Sequence, residues 1–282
     1  MSSSTRVRER AILISGCSSG IGRCAAVLLK ARGYRVFATA RKSENVASLA
    51  HEGFEAVRLD LADSDSIRSA VDFVLEKTGG HLFGLFNNGA YGQPGAVEDL
   101  SRDVLLKQFE TNVFGTHELT QSIVPVMRRQ GYGRIIHNSS LLGIVSLKFR
   151  GAYNASKYAL EGLADTQRLE LRGSNVFVSL VEPGPILSRF RENSLAMYRR
   201  NIDVDRSVFR DRYRIMEERL VRQGPAVPFT LGPEAVVRKV IHALEARRPK
   251  PRYYVTFPTY LFGVLKRCLP THWLDAVCVR VD

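Results

Sequence analysis

The stretch "AILISGCSSGIGRCAA", residues 11–26, decides how this chain folds. "AILIS" is a short apolar run, the length of a buried strand. Gly16, Gly20 and Gly22 follow at G-x3-G-x-G spacing, and "RCAA" opens a helical pattern. Glycines allow a tight turn and a close backbone approach, while a helix N-terminus offers free N–H groups and a positive dipole end to a pyrophosphate. Ser18 and Ser19 add hydroxyl donors or cap the helix. An ordinary strand-to-helix turn would use fewer glycines; their place on the first strand of a βαβ unit predicts a dinucleotide loop.

Outward from this loop, short apolar runs alternate with longer segments of helical period. Strands are expected at 11–15, 35–40, 55–59, 82–87, 133–139 and 176–182, with helices near 20–32, 64–78, 101–129 and 152–173. The strands are apolar on both faces, as buried parallel strands are. The pattern predicts an α/β fold: one doubly wound parallel sheet of six to seven strands, with helices on both faces. Beyond residue 183 the rhythm changes. Phe209, Tyr213, Met216 and Leu220 recur at helical spacing in an arginine-rich stretch, and a core-facing amphipathic helix is expected there. A helix at 233–247 and a short strand in "RYYVTF" follow, then an apolar tail punctuated by Pro258 and Pro270. No internal repeat or low-complexity linker divides the chain. Residues 1–282 are therefore read as a single dinucleotide-binding domain, with 186–282 as a substrate lid and C-terminal extension.

The 282 residues are 45% hydrophobic and 24% charged, enough for a large core and unlike a disordered chain. A net charge of +13 invites anionic partners, but the basic residues are interspersed with acids and form no dense arm, so nucleic acid is not expected. Cys17, Cys24, Cys268 and Cys278 form no Cys-x-x-Cys and no zinc spacing, so no metal is expected and reduced thiols of a cytoplasmic protein are the simplest reading. The start, "MSSSTRVRER", has no signal-peptide apolar core, and no apolar window is long enough to span a bilayer.

The second strand bears on the cofactor. An acidic residue there would bond the ribose 2′-OH of NAD. Here "FATARK" ends in Arg41 and Lys42 without a carboxylate, and a guanidinium grips a 2′-phosphate bidentately. NADP(H) is expected over NAD(H). Asp60, at the end of the third strand, is placed to reach the adenine amino group.

In "AYNASKYALEG", Tyr153 stands one helical turn before Lys157. Alone, such a pair is usually surface decoration. It gains meaning beside "SGCSSGIG", "NNGA", Asn112, Ser140 and "EPGPILS". Together these residues, over roughly 10–190, resemble the short-chain dehydrogenase/reductase family, most closely its branch of 17β-hydroxysteroid and retinol-type dehydrogenases. Ser15 stands where that family usually has Thr, and "NNGA" replaces "NNAG" with Asn88 kept.

The resemblance implies hydride transfer by a nicotinamide, with Tyr153 as general acid or base. It gives Lys157 two roles: lowering the tyrosine pKa and holding the nicotinamide ribose. Ser140 would orient the substrate carbonyl, and Asn112, in a helix, would hold a water linking Lys157 to solvent. The cofactor would be held by Gly16, Ser18, Ser19, Gly20, Ile21, Gly22, Arg41, Asp60, Leu61 and Asn88, with Tyr153 and Lys157. In "EPGPILS", Pro183 stiffens the turn, Gly184 lets the backbone approach the nicotinamide, Ile186 meets its carboxamide and Ser188 takes the usual Thr position.

The aromatic and aliphatic content of 186–282 suggests an apolar pocket for a lipophilic carbonyl or alcohol, whether steroid, retinoid or long-chain aldehyde or ketone. A 3-ketoacyl-thioester reductase would use the same catalytic set and would place the arginines of 189–222 at the pocket mouth. A non-enzymatic NADP-binding scaffold would not need the whole set. A homodimer or homotetramer is expected. The tail's "TYLFGVLKRCL" is expected to pack on the body or a partner, with peripheral contact to a membrane surface as the alternative.

Overall fold

β1 (Ala11–Ile14), α1 (Gly20–Ala31), β2 (Arg35–Ala40), α2 (Ser43–His51), β3 (Glu55–Arg58), α3 (Ser64–Lys77) and β4 (Gly84–Asn87) open the computed structural model, which describes residues 10–222, 224–225 and 227–281. The reading of the extreme N-terminus lies outside the described residues. Next come α4 (Arg102–Phe109), a π-helical turn (Glu110–Gly115), α5 (Thr116–Gln130), β5 (Gly133–Asn138), α6 (Gly151–Glu170) and β6 (Val176–Glu182). α7 (Phe190–Asn201), α8 (Arg210–Val221), α9 (Pro233–Glu245), β7 (Arg252–Tyr254), α10 (Phe257–Cys268) and α11 (Thr271–Cys278) complete the chain.

All seven strands are parallel, in the order β3-β2-β1-β4-β5-β6-β7. Alternate residues of β1 point to opposite faces, and both sets are apolar. Ile12 and Ile14 pack with Leu29 of α1 and Val236 and Val240 of α9. Leu13 packs on the other face with Leu85, Ile67 of α3 and Leu119 and Ile123 of α5. The doubly wound sheet is the predicted one, with β7 as its seventh strand. Chain direction across the sheet reverses between β1 and β4, which opens a crevice at their carboxyl ends.

Four details differ from the expectation. The helix expected over 101–129 is α4, a π turn and α5; at the end of the π turn Gly115 packs its backbone on the Leu61 carbonyl and leaves no room for a Cβ. α2 escaped prediction because Leu49 is its sole buried residue, too little for an apolar stripe. α7, with only Ser194 and Tyr198 buried, gave no periodic signal either. β3 is an edge strand whose residues are half-buried or exposed, not apolar on both faces.

The stripe at 209–220 faces inward as expected. Tyr213 is buried against Tyr198 and Ile202, with Phe209 and Met216 packed beside them. Pro258 and Pro270 start helices instead of breaking them, since the first turn needs no proline N–H. The tail packs on the body: Phe262, Leu274 and Cys278 close over Leu141 and Val145. All four cysteines are free, and no helix among the described residues is long and apolar enough to cross a membrane.

Candidate active site

Hydrogen bonds across the carboxyl ends of β1, β4 and β5 build the floor of the crevice. Ser15 Oγ accepts from the backbone N–H of Asn88 at 2.9 Å and of Gly89 at 2.8 Å. The Asn88 amide donates to the carbonyls of Ser15 (3.0 Å) and Gly16 (3.1 Å), and Asn138 donates to Asn88 Oδ1 at 3.0 Å. Serine is enough at position 15 because only the hydroxyl is used.

The glycine loop is shaped by this floor. Gly16 has φ +75°, and a Cβ there would lie 2.8 Å from Gly89 Cα. The Cβ position of Gly22 is taken by the Gly16 carbonyl and the Asn88 amide. Ser19 is the N-cap of α1, yet its side chain makes no cap bond. The N–H groups of that first turn therefore face the cavity without a side-chain acceptor, a setting that fits a pyrophosphate. Gly16, Ser18, Ser19, Gly20 and Ile21 all line the cavity.

Arg41 and Lys42 are exposed at the end of β2, and Lys42 pairs with Glu44 at 3.4 Å. Burial pushes the Tyr91 phenol up, while the Arg41 charge pulls it the other way, which places Arg41 in reach of the β4 loop. Asp60 is half-buried and accepts from Ala62 N at 3.1 Å; Leu61 is buried. Arg41, Asp60 and Leu61 stand outside the wall of the central cavity, on its β2–β3 side.

Ser140, Tyr153 and Lys157 converge at the cavity. Ser140 Oγ accepts from Leu142 N at 3.1 Å and also reaches the Tyr153 hydroxyl. Lys157 is buried; its Nζ donates to the Asn138 carbonyl at 2.7 Å and lies 5.5 Å from the Tyr153 ring centre. Burial pushes the lysine down to about 8, with the Glu161 charge opposing. Burial also pushes the Tyr153 phenol above its ordinary value, with the Ser140 hydroxyl pulling it back. For Tyr153, burial is thus the larger effect in the free protein. Removing the phenolate from water outweighs a neighbour whose ammonium is directed at a backbone carbonyl.

Asn112 sits in the π turn, a widening that recurs at functional sites. Its amide donates to Tyr91 O (2.9 Å) and Ser156 Oγ (3.1 Å), and its Oδ1 accepts from Tyr91 N (3.1 Å). Both N–H donors are thus used by protein. The side chain ties the β4 loop to α6.

The segment after β6 forms the facing wall. Pro183 O accepts from Leu141 N at 2.8 Å, Ile186 bridges to Leu231, and Ser188 Oγ accepts from Phe190 N at 3.3 Å. Pro183, Gly184, Ile186 and Ser188 all line the cavity. Space at Gly184 is filled by Thr256 and Thr259, so its glycine is required by packing on α10.

The cavity holds about 700 Å³, and Leu142, Leu147, Phe190, Phe229, Phe257 and Leu261 form its apolar side. Phe190 packs edge-on to Tyr153 at 5.3 Å, and Phe229 meets Phe257 at 4.9 Å between ring centres. Phe229 has φ +60°, a strained setting for a bulky residue, and is 59% exposed at the rim.

Sequence reasoning missed Asn138, Ser156, Glu161 and Glu182. Their signal was a polar residue closing an apolar strand ("GRIIHNS", "VFVSLVE") or standing next to, or one turn from, a catalytic residue.

A parallel sheet with a glycine loop on its first strand, and a serine, tyrosine and lysine gathered at its crevice, define an oxidoreductase of the Rossmann type. The chain belongs to the short-chain dehydrogenase family, whose model matches residues 10–199, and within it to the retinol and hydroxysteroid dehydrogenase-like branch. It is 42% identical over 272 residues to the Escherichia coli K12 "Uncharacterized oxidoreductase YbbO", covering 96% of this chain and 95% of that one. Human retinol dehydrogenase 8 is 32% identical over 86% of this chain and 80% of its own. A Burkholderia phymatum short chain dehydrogenase/reductase solved with NAD has a TM-score of 0.77 at 24% identity, covering 97% of this chain and 96% of that chain.

Proposed function

We propose that this oxidoreductase uses NADP(H) to interconvert a lipophilic carbonyl compound and its alcohol, with Tyr153 as the acid and base. The observation that carries this reading is the meeting of Tyr153, Ser140 and Lys157 between an uncapped helix N-terminus and an apolar cavity wall. When bound, the nicotinamide supplies or accepts the hydride. Ser140 and Tyr153 hydroxyls hold the substrate oxygen, and Tyr153 delivers a proton to it as charge builds there. Lys157, with one of its three donors on Asn138, stabilises the tyrosinate left behind and reaches the ribose hydroxyls with the others. In oxidation the same proton returns to Tyr153.

Arg41, with no carboxylate at the end of β2, supports NADP over NAD. The similar Burkholderia phymatum protein was solved with NAD, so the preference rests on Arg41. The apolar lining supports a lipophilic substrate of the steroid, retinoid or long-chain carbonyl kind. In this reading 186–282 is the substrate lid of a single domain, and the protein acts in the cytoplasm as a homodimer or homotetramer. Phe257, Tyr260, Leu261 and Val264, exposed on α10, are available for peripheral membrane contact.

One observation bears on the ketoacyl-thioester alternative: Arg189, Arg191 and Arg219 do line the cavity. Arg189 pairs with Glu192 at 3.0 Å, and Arg191 donates to the carbonyls of Arg219 and Gly224. A panel of ketones, aldehydes and 3-ketoacyl thioesters, followed by loss of reduced-cofactor absorbance with NADPH and with NADH, tests the proposal. Turnover of apolar carbonyls with NADPH is expected. Preference for the thioesters would favour the alternative.

A further inference from the structure

Behind the catalytic lysine lies a second cluster that the mechanism above does not use. Glu161, one helical turn beyond Lys157, and Glu182, the last residue of β6, are both buried, Glu182 completely. Arg252 of β7 joins them: its guanidinium is 2.9 Å from Glu161 Oε2, 2.7 Å from Asp165 Oδ2 and 3.2 Å from Glu182 Oε1. Arg252 thus faces three carboxylates at once, of which Glu161 and Glu182 are buried. Glu182 Oε2 has no hydrogen-bond donor, and the two carboxyl groups are within hydrogen-bond reach of each other. A proton between them supplies the missing donor and removes the like-charge contact, as in other close carboxyl pairs.

Surroundings on every side agree. On α6, Asp165 also pairs with Arg168 at 3.1 Å, which leaves the buried pair to Arg252 and Lys157. Just past β5, the Ser139 hydroxyl lies against Glu161, and His137 of β5, pushed down to about 4 by burial, is neutral and adds no charge. From β7, Tyr254 faces Glu182 and Arg252, and Arg267 of α10 reaches Tyr254. Burial and the Glu161 charge together push Glu182 up to about 9, while Arg252 opposes them.

We infer that Glu161 and Glu182 share one proton, and that the single negative charge left on the pair, clamped by Arg252, is the counter-charge that keeps Lys157 protonated in its dry pocket. Both are positioning residues acting through Lys157. The inference rests on the proposed catalytic reading. It adds a proton-holding element between the end of β6 and α6, just behind the segments carrying Ser140 and Pro183.

The pair also has a distinctive response to substitution. Either single variant, Glu161→Gln or Glu182→Gln, leaves one carboxylate beside Arg252, free to ionise once its neighbour is neutral. Only the double variant removes the counter-charge, with Asp165 still holding Arg252 in place.

The test is the pH profile of kcat/KM for carbonyl reduction with NADPH in the wild type, both single variants and the double variant, with Tyr153→Phe alongside. The alkaline limb, where Lys157 loses its proton, is expected to move down by about one pH unit in the double variant. That shift means about a fivefold further loss near pH 8 relative to pH 6. The single variants should move it by less, with displacements that sum to less than that of the double. A purely structural pair would lower the rate without moving the limb, and an unmoved limb in the double variant overturns the inference. Should the double variant not fold, infrared difference spectra of the wild type against Glu182→Gln decide. A protonated-carboxyl band in the wild type at about pH 7.5 supports the shared proton, and its absence overturns it. Full activity in Tyr153→Phe would instead overturn the catalytic reading beneath, a result distinct from failure of the pair.

Discussion

Lys157 directs its ammonium at the backbone carbonyl of Asn138, 2.7 Å away, and so joins α6 to the end of β5. That bond fixes a buried charge at the crevice, and burial pushes the lysine down to about 8. The charged form prevails below that value and is lost above it. Activity is therefore expected to fall as pH rises through about 8. Stability responds oppositely: where the unfolded lysine still binds its proton and the folded one does not, stability from this group rises with pH. A kcat/KM profile measured beside thermal melts should show activity declining while the melting temperature does not follow it.

Gly22→Ala should weaken cofactor binding in a protein that still has its strands. Its methyl would meet the Gly16 carbonyl and the Asn88 amide, forcing the loop off the floor. Overpacking costs about 1–3 kcal/mol, and most of that strain falls on the phosphate loop. Titration of NADPH fluorescence checks this, with an affinity loss of about tenfold or more expected.

Recognition of the 2′-phosphate is tested by Arg41→Glu. A charge-assisted bond is worth about 1.5–3 kcal/mol, so KM for NADPH should rise about ten- to hundredfold while that for NADH changes little. Equal losses with both cofactors would remove Arg41 from the phosphate site.

Ser15→Ala should destabilise without touching the chemistry. Its hydroxyl accepts two backbone N–H groups, of Asn88 and Gly89, and is 1% exposed. Leaving those donors without it costs about 1–3 kcal/mol, read as a lower melting temperature. Ser15→Thr, which keeps the hydroxyl, should retain most of the stability.

Strands β1, β2 and β4 to β6 were legible because each is built on a short apolar stretch, as a parallel sheet covered on both faces demands. β3 was placed correctly but is an edge strand, so its half-buried residues did not match a core pattern. The π turn was illegible, since nothing in the 3.6-residue pattern marks it, and the Gly115–Leu61 contact at its end joins residues 54 apart in sequence. Tyr153, Lys157 and Ser140 could be gathered from the sequence by their order along the chain, and the fold places them together. Two consequences of burial could not be read that way. The tyrosine is raised in spite of its lysine, and the Asn112 amide is used up on Tyr91 and Ser156. The Glu161–Glu182 contact brings together α6 and β6, and no local spacing announces it.

The central claim is that Tyr153 is the proton donor to a carbonyl reduced at this crevice. Its most direct test compares NADPH oxidation by wild type and Tyr153→Phe with the best apolar carbonyl of the panel, with NADPH binding measured separately. Loss of kcat by about 10²–10⁴-fold with NADPH affinity retained is the predicted result. A Tyr153→Phe protein that binds NADPH and turns over at the wild-type rate would contradict it.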